Sequence, residues 1–139
     1  MGAWGQGAFD NDDAADWSWE FETADLAAGL RLITDALTVV AQADDGTYLQ
    51  VDDGSRAVAA AALVASINGR PIDESPYNET ARQWIARVRP STDAVLTDLA
   101  RQAVIRAAGP NSELTQLWGE AESSSWRSGM DKLRDKLGA

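Results

Sequence analysis

The chain has 139 residues, of which 45% are hydrophobic and six are Trp, and it contains neither Cys nor His. A domain of this length buries about two thirds of the surface that its unfolded chain exposes, so we expect one folded domain over residues 1–139. Without Cys or His the chain cannot form disulfides, Cys/His zinc sites or a nucleophile–His catalytic pair.

The net charge of −10 comes from the first half of the chain. Residues 1–69 hold 12 Asp and Glu against only Arg31 and Arg56, whereas residues 70–139 hold ten acidic and ten basic residues. Nucleic-acid binding requires clustered Lys and Arg, so we expect no nucleic-acid partner. A negative field attracts a cationic surface, and the charge layout therefore favours a basic protein as partner.

The N-terminal region predicts a loop followed by a short helix. Glycines interrupt any helix over residues 1–10, so we expect an ordered loop there, held by its aromatic rings. The residues of this structural motif are Trp4, Gly5, Gly7, Phe9 and Trp17. Residues 10–13 offer helix caps, and the spacing places Trp17 and Phe21 on the inward face. Trp19 cannot share that face, so we expect it at the surface.

The middle of the chain has the clearest helical periodicity. Thr23 is predicted to cap a helix that ends near Ala43 and carries apolar residues at spacings of three and four. Residues 48–51 are predicted as a loop or as the lead-in to the next helix. An alanine-rich helix over residues 56–68, ending at Gly69, is predicted to be the central one. Residues 70–77 form the longest predicted connection.

Four more helices complete the expected fold. One begins after Asn78 and stops at Arg89, before a proline, and the next is predicted to be capped by Ser91 or Thr92. Two further helices begin at residues 111–112 and after the serines at 123–125. The fold class is therefore predicted as all-α, a single compact domain of about seven helices, several of them short.

The first 17 residues also suggest a family. The segment GAWGQGAFDNDDAADW, residues 2–17, resembles the N-terminal signature of the bacterial family known as domain of unknown function 4259. Residues 48–55 with the following alanine helix, and residues 112–118, are similar to that family's general layout. The resemblance implies a bacterial origin and a small intracellular domain, and it implies no activity and no catalytic residues.

The acidic first helix is the candidate interaction site. We expect Asp12, Asp13, Asp16, Trp19 and Glu20 to contact a basic protein, because an exposed Trp among carboxylates has the composition of an interface hot spot. The function predicted is that of a small acidic, non-enzymatic interaction or inhibitor-type protein, similar to an immunity protein. We assign no catalytic residue and no cofactor. A simpler interpretation is that these acids only cap the helix and complement its dipole.

A divalent-metal site is the alternative. Asp10, Asp12, Asp13 and Asp16 could bind a hard cation and serve a metal-dependent hydrolase or lyase, although their spacing does not match an EF-hand loop. The oligomeric state is left open.

The sequence predicts no membrane segment and no secretory signal. The longest apolar run, residues 57–65, is far shorter than the roughly 18 residues that a membrane span needs. No basic region followed by an apolar run is found at the N-terminus, and we expect a cytoplasmic protein.

Overall fold

The described residues form seven α-helices in a single all-α domain, as predicted. The computed structural model describes residues 8–9, 11–44, 46–70, 78–120 and 124–138, except for the side chains of residues 120 and 124. The helices are α1 (Asp12–Trp19), α2 (Leu26–Ala41), α3 (Val51–Ile67), α4 (Glu79–Val88), α5 (Ala94–Ala107), α6 (Glu113–Glu120) and α7 (Ser124–Gly138). Residues 1–7 and 10 of the predicted N-terminal loop, and residues 71–77 of the longest connection, lie outside the described part.

Helix α3 is the centre of the fold and packs against all six other helices. Every residue from 57 to 65 is buried, and the small Ala side chains there let neighbouring helices approach closely. The helix begins at Val51 and not at Arg56, so Asp52 and Asp53 lie within its first turn. Acidic side chains are stabilised at that end by the helix dipole, and the Glu113 carboxylate accepts the Val51 N–H at 2.9 Å.

The C-terminus of α3 follows the sequence prediction. Gly69 takes a left-handed conformation with φ 87°. The Arg70 N–H donates to the Ala65 carbonyl at 2.9 Å and the Gly69 N–H donates to the Ser66 carbonyl at 3.1 Å, which is the Schellman arrangement.

Two predicted helix caps are wrong. Asp25, and not Thr23, caps α2, because its carboxylate accepts the Ala28 N–H at 2.8 Å. Asp93, and not Ser91 or Thr92, caps α5 through the Leu96 N–H at 2.8 Å. In both cases the helix begins later than expected, and a carboxylate at its start is favoured by the dipole as well as by the hydrogen bond.

A row of aromatic rings joins α1 to α4. The Phe21 ring lies 5.0 Å from both the Trp17 and the Trp84 ring, in edge-on geometry, and all three are buried. The Trp84 indole lies directly on Gly29 of α2 and donates to the Asp25 carbonyl at 3.1 Å. Arg87 donates to the Ala24 carbonyl at 2.8 Å. The turn between α1 and α2 is therefore held against α4.

A second set of contacts joins two connections that are distant in sequence. The Leu49 N–H donates to the Asn111 carbonyl at 2.8 Å, and the Glu113 N–H donates to the Leu49 carbonyl at 2.9 Å. The Arg106 guanidinium donates to the carbonyls of Asp44 and Pro110, at 2.9 and 3.0 Å, and also to that of Thr47. These hydrogen bonds hold the residues just before α3 against the connection between α5 and α6.

No helix in the described ranges is both long and apolar enough to cross a membrane.

Candidate functional site

Helix α1 carries most of the predicted site and is started by a local side-chain cap. Asn11 has an extended backbone, and its Oδ1 accepts the Ala14 N–H at 2.8 Å. This confirms a cap within residues 10–13. Asp12 and Asp13 occupy the first turn, where carboxylates complement the positive end of the helix dipole. The capping interpretation of these acids is therefore physically sound, and it does not exclude a second role.

The two faces of α1 differ sharply. Trp17 is buried, as predicted, and anchors the helix through its contact with Phe21. Asp12, Asp16 and Trp19 recur at spacings of four and three and lie together on the exposed face. Trp19 is 62% exposed, which confirms its predicted surface position. We call Asp12, Asp16, Trp19 and the neighbouring exposed Glu20 the acidic face.

Asp13 lies at the edge of this face, towards α3. It is partly buried, and burial raises the pKa of its carboxyl above the ordinary value of 3.8, with the nearby charge of Asp52 acting in the same direction. The Arg56 guanidinium opposes that rise in pKa. The N-terminal ends of α1 and α3 therefore lie side by side, and their carboxylates share one electrostatic environment.

Arg56 neutralises the α3 carboxylates in part. Its guanidinium lies 3.0 Å from the carboxylate of Asp53 and 3.4 Å from that of Asp52, with all three side chains partly exposed. Within the described residues, neither Asp12 nor Asp16 has an ion-pair partner. The negative charge of the acidic face thus remains uncompensated by the chain's own described cations.

Sequence reasoning missed the contribution of α3. The spacing of Asp52 and Asp53 relative to Arg56 is visible in the sequence and predicts ion pairs on one helix. Their position beside Asp13 depends on the packing of α1 on α3, which no local pattern encodes. Asp52, Asp53 and Arg56 are therefore additions to the predicted site.

The structure also reveals a groove between α1 and α2. Both helices pack on α3, and α1 also contacts α4 while α2 also contacts α5. A space of about 280 Å³ is left between α1 and α2. Apolar Trp17, Leu32, Ala36 and Val39 and acidic Glu20, Asp35 and Asp53 line this space, together with Arg56. We call it the α1–α2 groove. Glu20 belongs to both the acidic face and the groove.

The metal alternative gains no support from the described geometry. Among the residues that the structure describes, no three Asp, Glu, His or Cys side chains are grouped so that they could hold a metal ion. Asp10, a member of the predicted metal set, lies outside those residues.

The structural N-terminal motif is described only in part. Phe9 and Trp17 are buried in the hydrophobic core, whereas Trp4, Gly5 and Gly7 lie outside the described residues. The role predicted for the loop as a whole therefore stays a prediction.

Comparison with known proteins identifies a family whose function is unknown. No curated protein and no solved structure matches the chain. The model of one family, described as a domain of unknown function (DUF4259), matches residues 2–129. Because this match spans nearly the whole chain, including all of the acidic face and the α1–α2 groove, the chain belongs to the DUF4259 family.

Proposed function

We propose that this protein is a non-enzymatic interaction domain that binds a basic protein through the acidic face of α1. An inhibitor of the immunity type, which covers a cationic surface of a toxic protein, is the concrete form of this proposal. A bacterial, cytoplasmic setting is part of the same proposal.

The exposure of Trp19 is the observation that carries this proposal. An indole that is 62% exposed on a helix leaves a large apolar area in water, which burial in a complex would remove. Trp17, two residues earlier, provides the buried ring contact of α1 with Phe21, so this contact does not involve Trp19. Trp is among the residues most enriched in interface hot spots.

The charge around Trp19 supports a cationic partner. Asp12 and Asp16 are exposed on the same face of α1 as Trp19, and the exposed Glu20 follows Trp19 directly in the chain. Carboxylates at the edge of an interface mainly accelerate association with an oppositely charged protein, and this acceleration is screened by salt. We therefore expect binding that is fast and salt-sensitive, with Trp19 providing much of the residence time.

The test compares two pairs of aspartates. Asp12→Asn/Asp16→Asn neutralises the acidic face, and Asp131→Asn/Asp135→Asn is the matched control, since those residues are also one helical turn apart and exposed on α7. Proteins captured from a bacterial lysate at low salt are identified by mass spectrometry and then purified. Their association and dissociation rates are measured with immobilised wild-type protein, both double variants and Trp19→Ala.

The expected result is a basic protein whose association slows about tenfold with Asp12→Asn/Asp16→Asn and with added salt, but not with the α7 control. Trp19→Ala should weaken the equilibrium affinity by about 30-fold, corresponding to about 2 kcal/mol for a hot-spot Trp. If the acidic-face variants and the control bind every captured protein equally well, the proposal is wrong.

A further inference from the structure

The α1–α2 groove continues along α2 beyond the space of about 280 Å³ that Trp17 and Val39 line. A second open space of about 580 Å³ shares Glu20, Leu32 and Asp35 with the first and extends along α2 to Ala27. The α2 residues that border the two spaces run from Ala27 to Val39. At 1.5 Å per residue, this distance is about 18 Å, or roughly three helical turns.

The side of α2 that borders this groove carries a line of apolar side chains next to Arg31 and Asp35. Ala28, Leu32 and Ala36 follow one another at intervals of four residues and therefore lie along one line of the helix surface. Val39 continues this surface and is 53% exposed. The two Ala side chains on this line let the backbone of a second helix approach to the ordinary distance of about 8–10 Å between helix axes.

The flanks of the groove carry an excess of negative charge. The carboxylates of Glu20, Asp25, Asp35 and Asp53 border it, against the guanidinium groups of Arg31 and Arg56. Arg56 already contacts Asp52 and Asp53. In the part of the chain that the structure describes, Glu20, Asp35 and Arg31 form no ion pair, so two carboxylates and one guanidinium on the groove remain available to a partner. The four carboxylates that border the groove still outnumber its two guanidinium groups.

We infer that the α1–α2 groove binds an amphipathic, basic helix of about three turns from the partner protein. Its apolar residues would lie over Ala28, Leu32 and Val39, while Lys or Arg side chains on its flanks would reach Glu20 and Asp35. Long basic side chains suit this geometry because their methylene stems cover apolar surface while their charged ends reach the carboxylates. Recognition of a helix by an apolar groove uses side chains at three- and four-residue spacing.

This inference rests on the proposed function, because it specifies which part of a basic partner is bound. The acidic face and the groove share Glu20 and are adjacent, but they can be altered separately. Asp12, Asp16 and Trp19 do not line the groove, and Ala28 and Val39 do not belong to the acidic face.

A synthetic peptide can test the inference without a known partner. The probe has about 14 residues, with Leu and Ala at every third and fourth position and Lys elsewhere, and is matched by a scrambled peptide of the same composition. Each peptide is titrated into the isotope-labelled full-length protein, and backbone amide shifts are followed by NMR. The amphipathic peptide should shift amides of α2 between residues 27 and 39 and bind about tenfold more tightly than the scrambled one.

Two double variants separate groove binding from general charge attraction. Ala28→Arg/Val39→Arg places two cations in the groove at exposed positions. Val95→Arg/Ile105→Arg adds the same charge at exposed apolar positions of α5, where Val95 is 77% exposed. The groove variant should bind the amphipathic peptide at least about tenfold more weakly than the α5 control, because like charges would be juxtaposed in the complex. Circular dichroism spectra of both variants show whether their helix content matches that of the wild type.

The possible results decide between the two proposals. Equal binding of both peptides, or equal loss of affinity in both Arg variants, would overturn the groove inference. If the natural partner loses affinity with Asp12→Asn/Asp16→Asn and not with Ala28→Arg/Val39→Arg, the acidic face is the contact and the groove is not. If neither change affects that partner, the proposed function fails as well. Concentration-dependent self-association that only the groove variant abolishes would assign the groove to a second copy of this chain, and would also overturn the inference.

Discussion

Replacing Gly29 by Ala should destabilise the protein strongly, although Ala is the better helix former. A Cβ at this position of α2 would lie 2.1 Å from Cζ2 and 2.2 Å from Cε2 of Trp84, far inside contact distance. Trp84 is fully buried, so its ring cannot move aside without disturbing the core or the hydrogen bond from its Nε1 to the Asp25 carbonyl. The helix therefore requires a residue without a side chain at this point.

The magnitude follows from three contributions. Overpacking a well-packed core costs about 1–3 kcal/mol, and leaving a buried indole N–H or carbonyl without its partner costs about another 1–3 kcal/mol. The better helix propensity of Ala returns about 1 kcal/mol. The free energy of unfolding should thus fall by about 3 kcal/mol. The midpoint of thermal unfolding should fall by about 10 °C.

The assay is urea unfolding followed by circular dichroism, with Gly129→Ala as a matched control. Gly129 lies within α7, and a Cβ added there would meet no other atom within 4 Å, so Ala should stabilise the protein by up to about 1 kcal/mol. Both variants make the same chemical change inside a helix, and only the contact with Trp84 differs. A Gly29→Ala protein as stable as the wild type would refute the packing described for α2 and α4.

Four more variants, at three positions, probe other parts of the fold. Burial and Asp52 raise the pKa of Asp13 above 3.8, so the folded protein disfavours the ionised form of this carboxyl. The free energy of unfolding of the wild type therefore falls as the pH rises through the raised pKa. The free energy of unfolding of Asp13→Asn minus that of the wild type should therefore be larger at about pH 7 than at about pH 3. Unfolding measured at both pH values tests this, and the same difference at both would contradict it. Arg106→Ala should lower the free energy of unfolding by about 2–3 kcal/mol, because its guanidinium donates to carbonyls of two connections. Arg106→Lys should recover only part of that loss in the same urea experiment, and full recovery would mean that charge alone matters. Gly69→Ala should cost about 1–2 kcal/mol in thermal unfolding, because φ at this residue is 87°, and an unchanged midpoint would argue against the left-handed cap.

The electrostatic argument for a basic partner holds although Arg56 and Arg31 lie close to the site. Arg56 contacts the two carboxylates at the start of α3, whereas Asp12 and Asp16 on the outer face of α1 have no cationic partner among the described residues. The acidic end of α1 and that of α3 lie together, so the potential there comes from two helices. Added salt should therefore slow association with the partner more than Asp12→Asn/Asp16→Asn does, because salt screens the charges of both helices.

The amino-acid sequence alone determined the helices and the direction in which most of their residues face. The inward positions of Trp17 and Phe21, the exposed position of Trp19, the Gly69 terminus and the central alanine helix all follow from patterns that span only a few residues. The choice of Asp25 and Asp93 as caps and the start of α3 at Val51 did not follow from such patterns, because several neighbouring polar residues can cap a helix and tertiary contacts select among them.

Only the tertiary structure decided which surfaces come together. The Trp84 ring on Gly29, the pairing of Leu49 with the connection before α6, and Asp13 beside Asp52 each join residues that are far apart in the chain. The α1–α2 groove exists because two helices pack on α3 without covering each other. Such contacts depend on how whole helices fit side chain against side chain, and that fit has no signature in local hydrophobic periodicity.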